Sequence, residues 1–204
     1  MGRNGAPVYG VILAAGSSTR FGGADKLSAR IGDSTVLALT TAAYVEGTKR
    51  TFVVLKAGDE SSVEQIRSPS VELIWNSAST EGQSVSLRLG VAALPPDAAA
   101  AVIGVADQPL LSAEIVRTLI DSWLREPISA VVPLFRGARG NPVLFSREVF
   151  PKLLEVTGDV GGRHVLSRIP VRELEMPDWW RSMDIDTPGS LALANEYLEY
   201  PRGR

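Results

Sequence analysis

No cysteine occurs anywhere in this chain of 204 residues, and histidine appears once, as His164. Without thiols there is no disulfide framework, no thiolate nucleophile and no cysteine-ligated zinc. One imidazole cannot serve both a triad and a multi-histidine metal site, so chemistry has to come from carboxylates with a hard cation and from cationic side chains acting on phosphate. An excess of positive charge is missing as well. Lys and Arg number 21 against 23 Asp and Glu, a net charge of -2, and no local basic patch stands out, which argues against a nucleic-acid partner. Long apolar runs are absent too: Ala98 to Ala106 is far short of the roughly 20 residues that cross a bilayer, and the first residues lack the apolar core of a signal peptide. The expectation is a cytoplasmic protein with no membrane partner.

Apolar residues make up 45% of the chain, enough at this length to bury one large core. Residues 1–204 are therefore expected to form a single domain, with 1–7 and 200–204 as flexible tails. Val8 to Leu13, Thr51 to Leu55, Val71 to Trp75 and Ala100 to Val105 read as buried strands. Helical patterns at Thr35 to Tyr44, Glu60 to Arg67 and Ser84 to Leu94 lie between them. Strand–helix alternation through residue 125 predicts a mostly parallel sheet covered on both faces, with ligands at the C-terminal strand ends. Further on, Ala130 to Leu134 and Pro142 to Phe145 read as strands, one of them a candidate for an antiparallel place at an edge. A helix over Arg147 to Glu155, a short strand over Ser182 to Ile185 and a closing helix over Pro188 to Glu199 complete the pattern.

The strand at Val11 breaks into a glycine-rich, basic loop that ends at Lys26. Gly16 lets the backbone turn, Gly22 and Gly23 allow close approach, and successive N–H groups there can converge on phosphate oxygens, with Arg20 and Lys26 supplying charge. Two common phosphate motifs do not fit: Phe21 stands where G-x-x-x-x-G-K-[ST] needs glycine, and no G-x-G-x-x-G can be drawn. Asp107 ends an apolar strand just before Pro109, at the expected ligand edge, where it can bind a divalent cation or cap a turn. Asp184 and Asp186 repeat this pattern in Met183-Asp-Ile-Asp-Thr-Pro188. Either can complete a cation site, and Asp186 or Thr187 can also cap the last helix, with Pro188 in its first turn. Trp179 and Trp180 read as a core or interface anchor in preference to a stacking platform for a ligand. His164 reads as a surface or partly buried residue without a catalytic part.

Six strings together resemble the molybdenum cofactor cytidylyltransferases, of the MobA-like NTP transferase family: Leu13-Ala-Ala-Gly-Ser-Ser-Thr-Arg-Phe-Gly22 with Lys26, Glu81-Gly-Gln-Ser-Val-Ser-Leu87, Asp107-Gln-Pro109, Arg139-Gly-Asn-Pro-Val143, Gly158-Asp-Val-Gly-Gly-Arg163 and Asp184-Ile-Asp-Thr-Pro188. The resemblance implies a three-layer α/β/α Rossmann-like nucleotidyltransferase fold. It also implies Mg²⁺, a nucleoside triphosphate and a phosphorylated acceptor such as molybdopterin, with a molybdoenzyme as a further partner. By this similarity the nucleotide lies against Leu13, Ala14, Ala15, Gly16 and Ser17, and against Asn76, Gly82 and Ser86. Arg20, Lys26 and Asp107 are the implied catalytic groups, and Asp107 with Asp186 or Asp184 the implied metal ligands. Arg139, Asn141 and Arg163 fall on the acceptor side. Guanylyl-transferring relatives typically carry Gly where this chain has Ala15, so CTP is the expected substrate. Three positions depart from the family pattern: Ser77 for proline, Asn141 for histidine, and Gly189-Ser190 for an acidic pair. Two other readings stay open at this point, an NAD(P)-dependent oxidoreductase and a non-catalytic maturation partner of a molybdoenzyme.

Overall fold

Runs of valine, isoleucine and leucine bounded by turns form the sheet on which the molecule is built, because β-branched and apolar side chains suit a pleated surface buried on both faces. The computed structural model describes residues 5–16, 25–158 and 161–199. In chain order these form β1 (Val8–Leu13), the hairpin β2 (Arg30–Ile31) and β3 (Ser34–Thr35), α1 (Val36–Gly47), β4 (Thr51–Lys56), α2 (Glu60–Ile66), β5 (Val71–Asn76), α3 (Gln83–Ala92), β6 (Ala100–Val105) and α4 (Ala113–Arg125). The second half adds β7 (Ala130–Phe135), β8 (Ala138–Arg139), β9 (Val143–Ser146), α5 (Phe150–Leu154), α6 (Arg163–Leu166), β10 (Val171–Met176) and α7 (Pro188–Glu199). Pro7, expected in a free tail, is already tied down: its carbonyl accepts from the N–H of Ala99.

The main sheet runs β10-β7-β9-β6-β1-β4-β5, with β8 beside β7. β1 pairs in parallel with β4 and β6, and β4 with β5. One expectation is corrected here, since β9 is antiparallel but lies inside the sheet between β6 and β7 and not at an edge. Val143, Leu144 and Phe145 are buried on both faces of β9, which suits a central strand. The edge belongs instead to β10, a strand the sequence pattern does not announce. Its Arg172, Glu173 and Glu175 leave no apolar run, and Glu173 and Glu175 are exposed in alternation with Leu174 and Met176, as suits an edge strand. The strand expected over Ser182 to Ile185 is also absent. Trp179–Ser182 form a 3-10 turn, and the segment after it is joined to the end of β6 through single hydrogen bonds.

Side-chain alternation along the strands divides the core in two. Val8, Ile12, Val53, Val102 and Val131 face α1, α2, α4 and α7, whereas Tyr9, Val11, Val54, Ile103 and Val132 face α3, α5 and α6. This is the three-layer α/β/α arrangement with a mostly parallel sheet. Caps place the helices. Thr35 Oγ1 accepts from Ala38 N, Asp59 Oδ1 from Ser62 N and Ser112 Oγ from Ile115 N, each satisfying an N–H that the first turn leaves unpaired. Among the described residues no helix is long and apolar enough to cross a membrane.

Tyr44 of α1 lies flat across the sheet because glycine stands at Gly10 and Gly104. A Cβ on Gly10 would come to 3.0 Å from the Tyr44 ring, and one on Gly104 would collide with the Tyr44 hydroxyl and crowd Pro142. The hydroxyl is fully buried with no hydrogen-bond partner among the described residues, and burial drives its pKa well above the ordinary phenol value. A buried unpaired hydroxyl is a net liability. Tyr44→Phe is therefore expected to unfold at or above the wild-type temperature, and Gly104→Ala to lose about 1–3 kcal/mol by overpacking. Combining the two should recover part of that loss in a double-mutant cycle by urea denaturation; strictly additive effects would contradict the packing described.

Candidate active site

β1 leads through β4 to β5 on one side, and the chain then returns to place β6 on the other side of β1. The C-terminal ends of β1 and β6 therefore flank the point where the sheet changes winding direction, the place where open α/β sheets bind ligands. A cleft of about 240 Å³ opens there. Leu13 and Ile103 to Val105 come from the strand tips, Asn141, Val143 and Phe145 from β9 and the turn before it, Gln83 from the start of α3, and Gly161 to Arg163 from the start of α6. Asp107 and Asp184 complete the lining.

Each charged group is set by local backbone chemistry. Asp25 accepts from Leu27 N at 3.1 Å and from the Ser28 hydroxyl at 2.8 Å, holding the 3-10 turn that carries Lys26. Thr40 of α1 donates to the Ala106 carbonyl at 2.9 Å, and Ile185 N to the Asp107 carbonyl at 2.9 Å. Asp107 is thus fixed as β6 ends, and its alternative role as a helix cap is taken by Ser112. At the other stretch Thr187 Oγ1 accepts from Ser190 N, and the Ser190 hydroxyl accepts from the N–H groups of Asp186 and Thr187. This is a reciprocal cap in which Ser190 does the work of the missing acidic residue. Asp186 is left with its carboxylate available for another task.

That task is visible in the contacts of Lys26. Its Nζ donates to Asp107 Oδ2 at 2.5 Å and to Asp186 Oδ1 at 2.9 Å. Burial works against the ammonium, but the hydrogen bonds and charges of Asp107 and then Asp186 outweigh it and hold the Lys26 pKa above its ordinary value. Asp184 is shifted up, first by the loss of water around its carboxylate and next by the charge of Asp107. Gln108, buried behind them, donates to Asp184 Oδ1 at 2.8 Å and to the Ser182 carbonyl at 3.2 Å. The two acidic stretches, 77 residues apart at Asp107 and Asp184, meet at one end of the sheet, although not as the paired strand side chains the sequence suggests.

The other sequence-derived positions separate into groups. Ala14 and Ala15 are buried just past β1, and Gly16 is exposed; Ser17 and Arg20 lie outside the described residues. Asn76 and Ser86 meet each other: Asn76 Nδ2 donates to Ser86 Oγ at 2.9 Å, and Asn76 Oδ1 accepts from Ala78 N at 2.8 Å. Gly82 precedes α3 with φ 105°, a conformation that favours glycine. Asn141 and Arg163 line the cleft. Arg139, on β8, does not; its Nε donates to Glu173 of β10 at 2.6 Å. Two contributors that residue-by-residue reading did not single out are Gln83 and Gln108. Both stand inside quoted strings, but nothing in a glutamine announces which neighbour it will hold. Trp180 is buried and stacked on Tyr197 of α7 at 5.2 Å, and Trp179 meets the same ring edge-on, so the pair anchors α7.

A winding switch point with Asp107 and Asp184 lining its cleft and Lys26 bonded to Asp107 defines an α/β/α sandwich with a charged ligand cleft at the C-terminal strand ends. The model of the MobA-like NTP transferase domain matches residues 10–174, and the chain belongs to that nucleotidyltransferase family. It is 30% identical over 193 residues to the purine catabolism protein PucB of Bacillus subtilis (strain 168), across 89% of this chain and 92% of that protein. Among solved structures, Rv0371c from Mycobacterium tuberculosis H37Rv superposes with a TM-score of 0.80 at 27% identity, covering 94% of this chain and 98% of its own. A structure of Rv0371c in complex with manganese gives a TM-score of 0.73 at 25% identity, with 93% and 98% covered.

The Asn76–Ser86 contact generates a prediction. Ser86→Ala strands a buried amide donor and is expected to lower stability by about 1–3 kcal/mol. Urea denaturation checks it, and an unchanged midpoint would mean that the pair does not form in solution.

Proposed function

We propose that the protein is a cytoplasmic, single-domain, divalent-metal-dependent nucleotidyltransferase that moves CMP from CTP onto a phosphorylated acceptor of the molybdopterin type, releasing pyrophosphate. The observation that carries this reading is Lys26 Nζ bonded to both Asp186 and Asp107, the latter a residue that lines the switch-point cleft. The donor set fits a hard cation: Asp107 Oδ1 is buried with no hydrogen-bond partner among the described residues, and it is an anionic oxygen. Among those residues no group of three or more acidic or histidine side chains surrounds one point. That suits an ion such as Mg²⁺, which takes one or two carboxylates and fills its remaining positions with water and phosphate. Asp107 and Asp186 would hold it, and when bound it would neutralise charge on the transferring phosphate.

In the reaction an oxygen of the acceptor phosphate bonds to the α-phosphorus of CTP while the bond from that phosphorus to the bridging oxygen of pyrophosphate breaks. The nucleophile is already ionised, so no protein base is required, in keeping with a chain that has one histidine and no cysteine. Lys26, bonded to the cleft-lining Asp107, is assigned to steady the charge that accumulates on leaving pyrophosphate, and Arg20 is assigned the same task by family resemblance. Leu13 to Ser17 would hold the nucleotide, with Gly82 and the Asn76–Ser86 pair shaping the wall beside its base. Asn141 and Arg163 face the cleft from the far side and are assigned to the acceptor; Arg139 would have to leave Glu173 to join them. The preference for CTP rests on Ala15.

Two measurements test this. In a thermal-shift series over CTP, GTP, ATP and NADPH, stabilisation by CTP that requires Mg²⁺ or Mn²⁺ is expected. A metal-independent response to NADPH would favour an oxidoreductase, and no response to any nucleotide would favour a maturation factor. In a pyrophosphate-release assay Asp107→Asn should remove metal-dependent turnover with the fold intact, and Lys26→Ala should lower kcat by about 10²–10³. Undiminished release by Asp107→Asn would refute the role given to that carboxylate.

A further inference from the structure

Asp186 is delivered to the site by residues 181–185, a segment without strand pairing of its own. Four hydrogen bonds tie it to residues 107–110. Ile185 N donates to the Asp107 carbonyl at 2.9 Å, and Arg181 Nη1 to the Leu110 carbonyl at 3.2 Å. The other two come from Gln108 Nε2, which donates to the Ser182 carbonyl and to Asp184 Oδ1. Gln108 is only 3% exposed, so its amide is committed to this junction and shielded from water that could replace either bond. Both hydrogens of the amide nitrogen are thereby used.

The three acidic residues are thus held differently. Lys26 shows where a single cation meets Asp107 and Asp186 together, whereas an oxygen of Asp184 is engaged by a neutral amide. We infer that Gln108 and Asp184 are a positioning pair that seats Asp186 opposite Asp107, and that Asp184 is not itself a metal ligand. This rests on the metal-dependent reading given above. The chemistry separates the two roles. A carboxylate ligand gives a hard cation charge that an amide carbonyl does not replace, so its loss weakens binding strongly, whereas a group that only accepts from Gln108 does so equally well as an amide carbonyl. Supporting groups of this kind commonly govern metal affinity from outside the coordination sphere.

The test measures Mn²⁺ affinity of the full chain without nucleotide, by electron paramagnetic resonance of the free ion, together with hydrogen exchange over residues 182–187. Asp184→Asn should bind Mn²⁺ within about threefold of wild type, while Gln108→Glu, which loses the donor and sets two carboxylates face to face, should weaken binding about tenfold or more. It should also speed exchange at Ile185. In the double variant Gln108→Glu/Asp184→Asn donor and acceptor change places within the pair while the bond to the Ser182 carbonyl stays lost, so affinity and protection should recover in part relative to Gln108→Glu. Gln108→Met, uncharged and of similar length, should repeat the loss if Gln108→Glu does not fold. An Asp184→Asn variant as impaired as Asp107→Asn would overturn the inference, as would unchanged exchange and affinity in the Gln108 variants or a double variant no better than Gln108→Glu alone. Undiminished Mn²⁺ binding by Asp107→Asn would sink the metal reading alone, and hydrogen exchange would still decide the pair.

Discussion

Bringing Asp107 and Asp186 within reach of the same ammonium group is the constraint around which this molecule is arranged. Carboxylates that close repel each other and are held together only if a cation lies between them or the backbone leaves them no alternative. Here both conditions are met. Lys26 supplies positive charge, and Thr40, Ile185 and Ser190 fix the peptide groups on either side of the acids. The Asp184 pKa is raised first by burial of its carboxylate and then by the charge of Asp107.

This arrangement depends on the sheet. Parallel strands carry their C-terminal ends to one side, and the reversal of winding at β1 opens a gap between the segments that leave β1 and β6. The antiparallel β9 borders the cleft from the other side of β6. Entering beside β6, it places Asn141 across from Leu13 and forms a wall that a wholly parallel order would not supply. Tyr44 braces the floor from below by lying against Gly10 and Gly104, which explains two glycines inside strands where a side chain would ordinarily be preferred.

Most of the elements were legible in the sequence because their signals are local. Apolar runs of strand length and Thr187 ahead of Pro188 announce strands and a cap through chemistry between near neighbours. The parts that were not legible depend on partners far away. β10 has no apolar run of the kind that marks the central strands, since an edge strand has one side free to carry charge. The segment after Trp179 looks like a strand in composition, yet it finds only single bonds to the end of β6. Asn76 and Ser86 suggest ligand contacts one at a time, and their bond to each other appears only when β5 and α3 are packed together.

By itself the sequence determined which chemistry is available. The absence of cysteine and the single histidine exclude thiolate, disulfide and multi-histidine chemistry, and leave the lysine that ends a glycine-rich loop and the acids at Asp107, Asp184 and Asp186 as the charged groups on offer, because composition limits what any fold can do. Only the tertiary structure decided which of these groups meet. The choice of Asp186 as the acid that shares Lys26 with Asp107, the engagement of Asp184 by Gln108 and the capture of Arg139 by Glu173 are set by distances of a few ångströms between segments far apart in the chain, and no local pattern of residues encodes such distances.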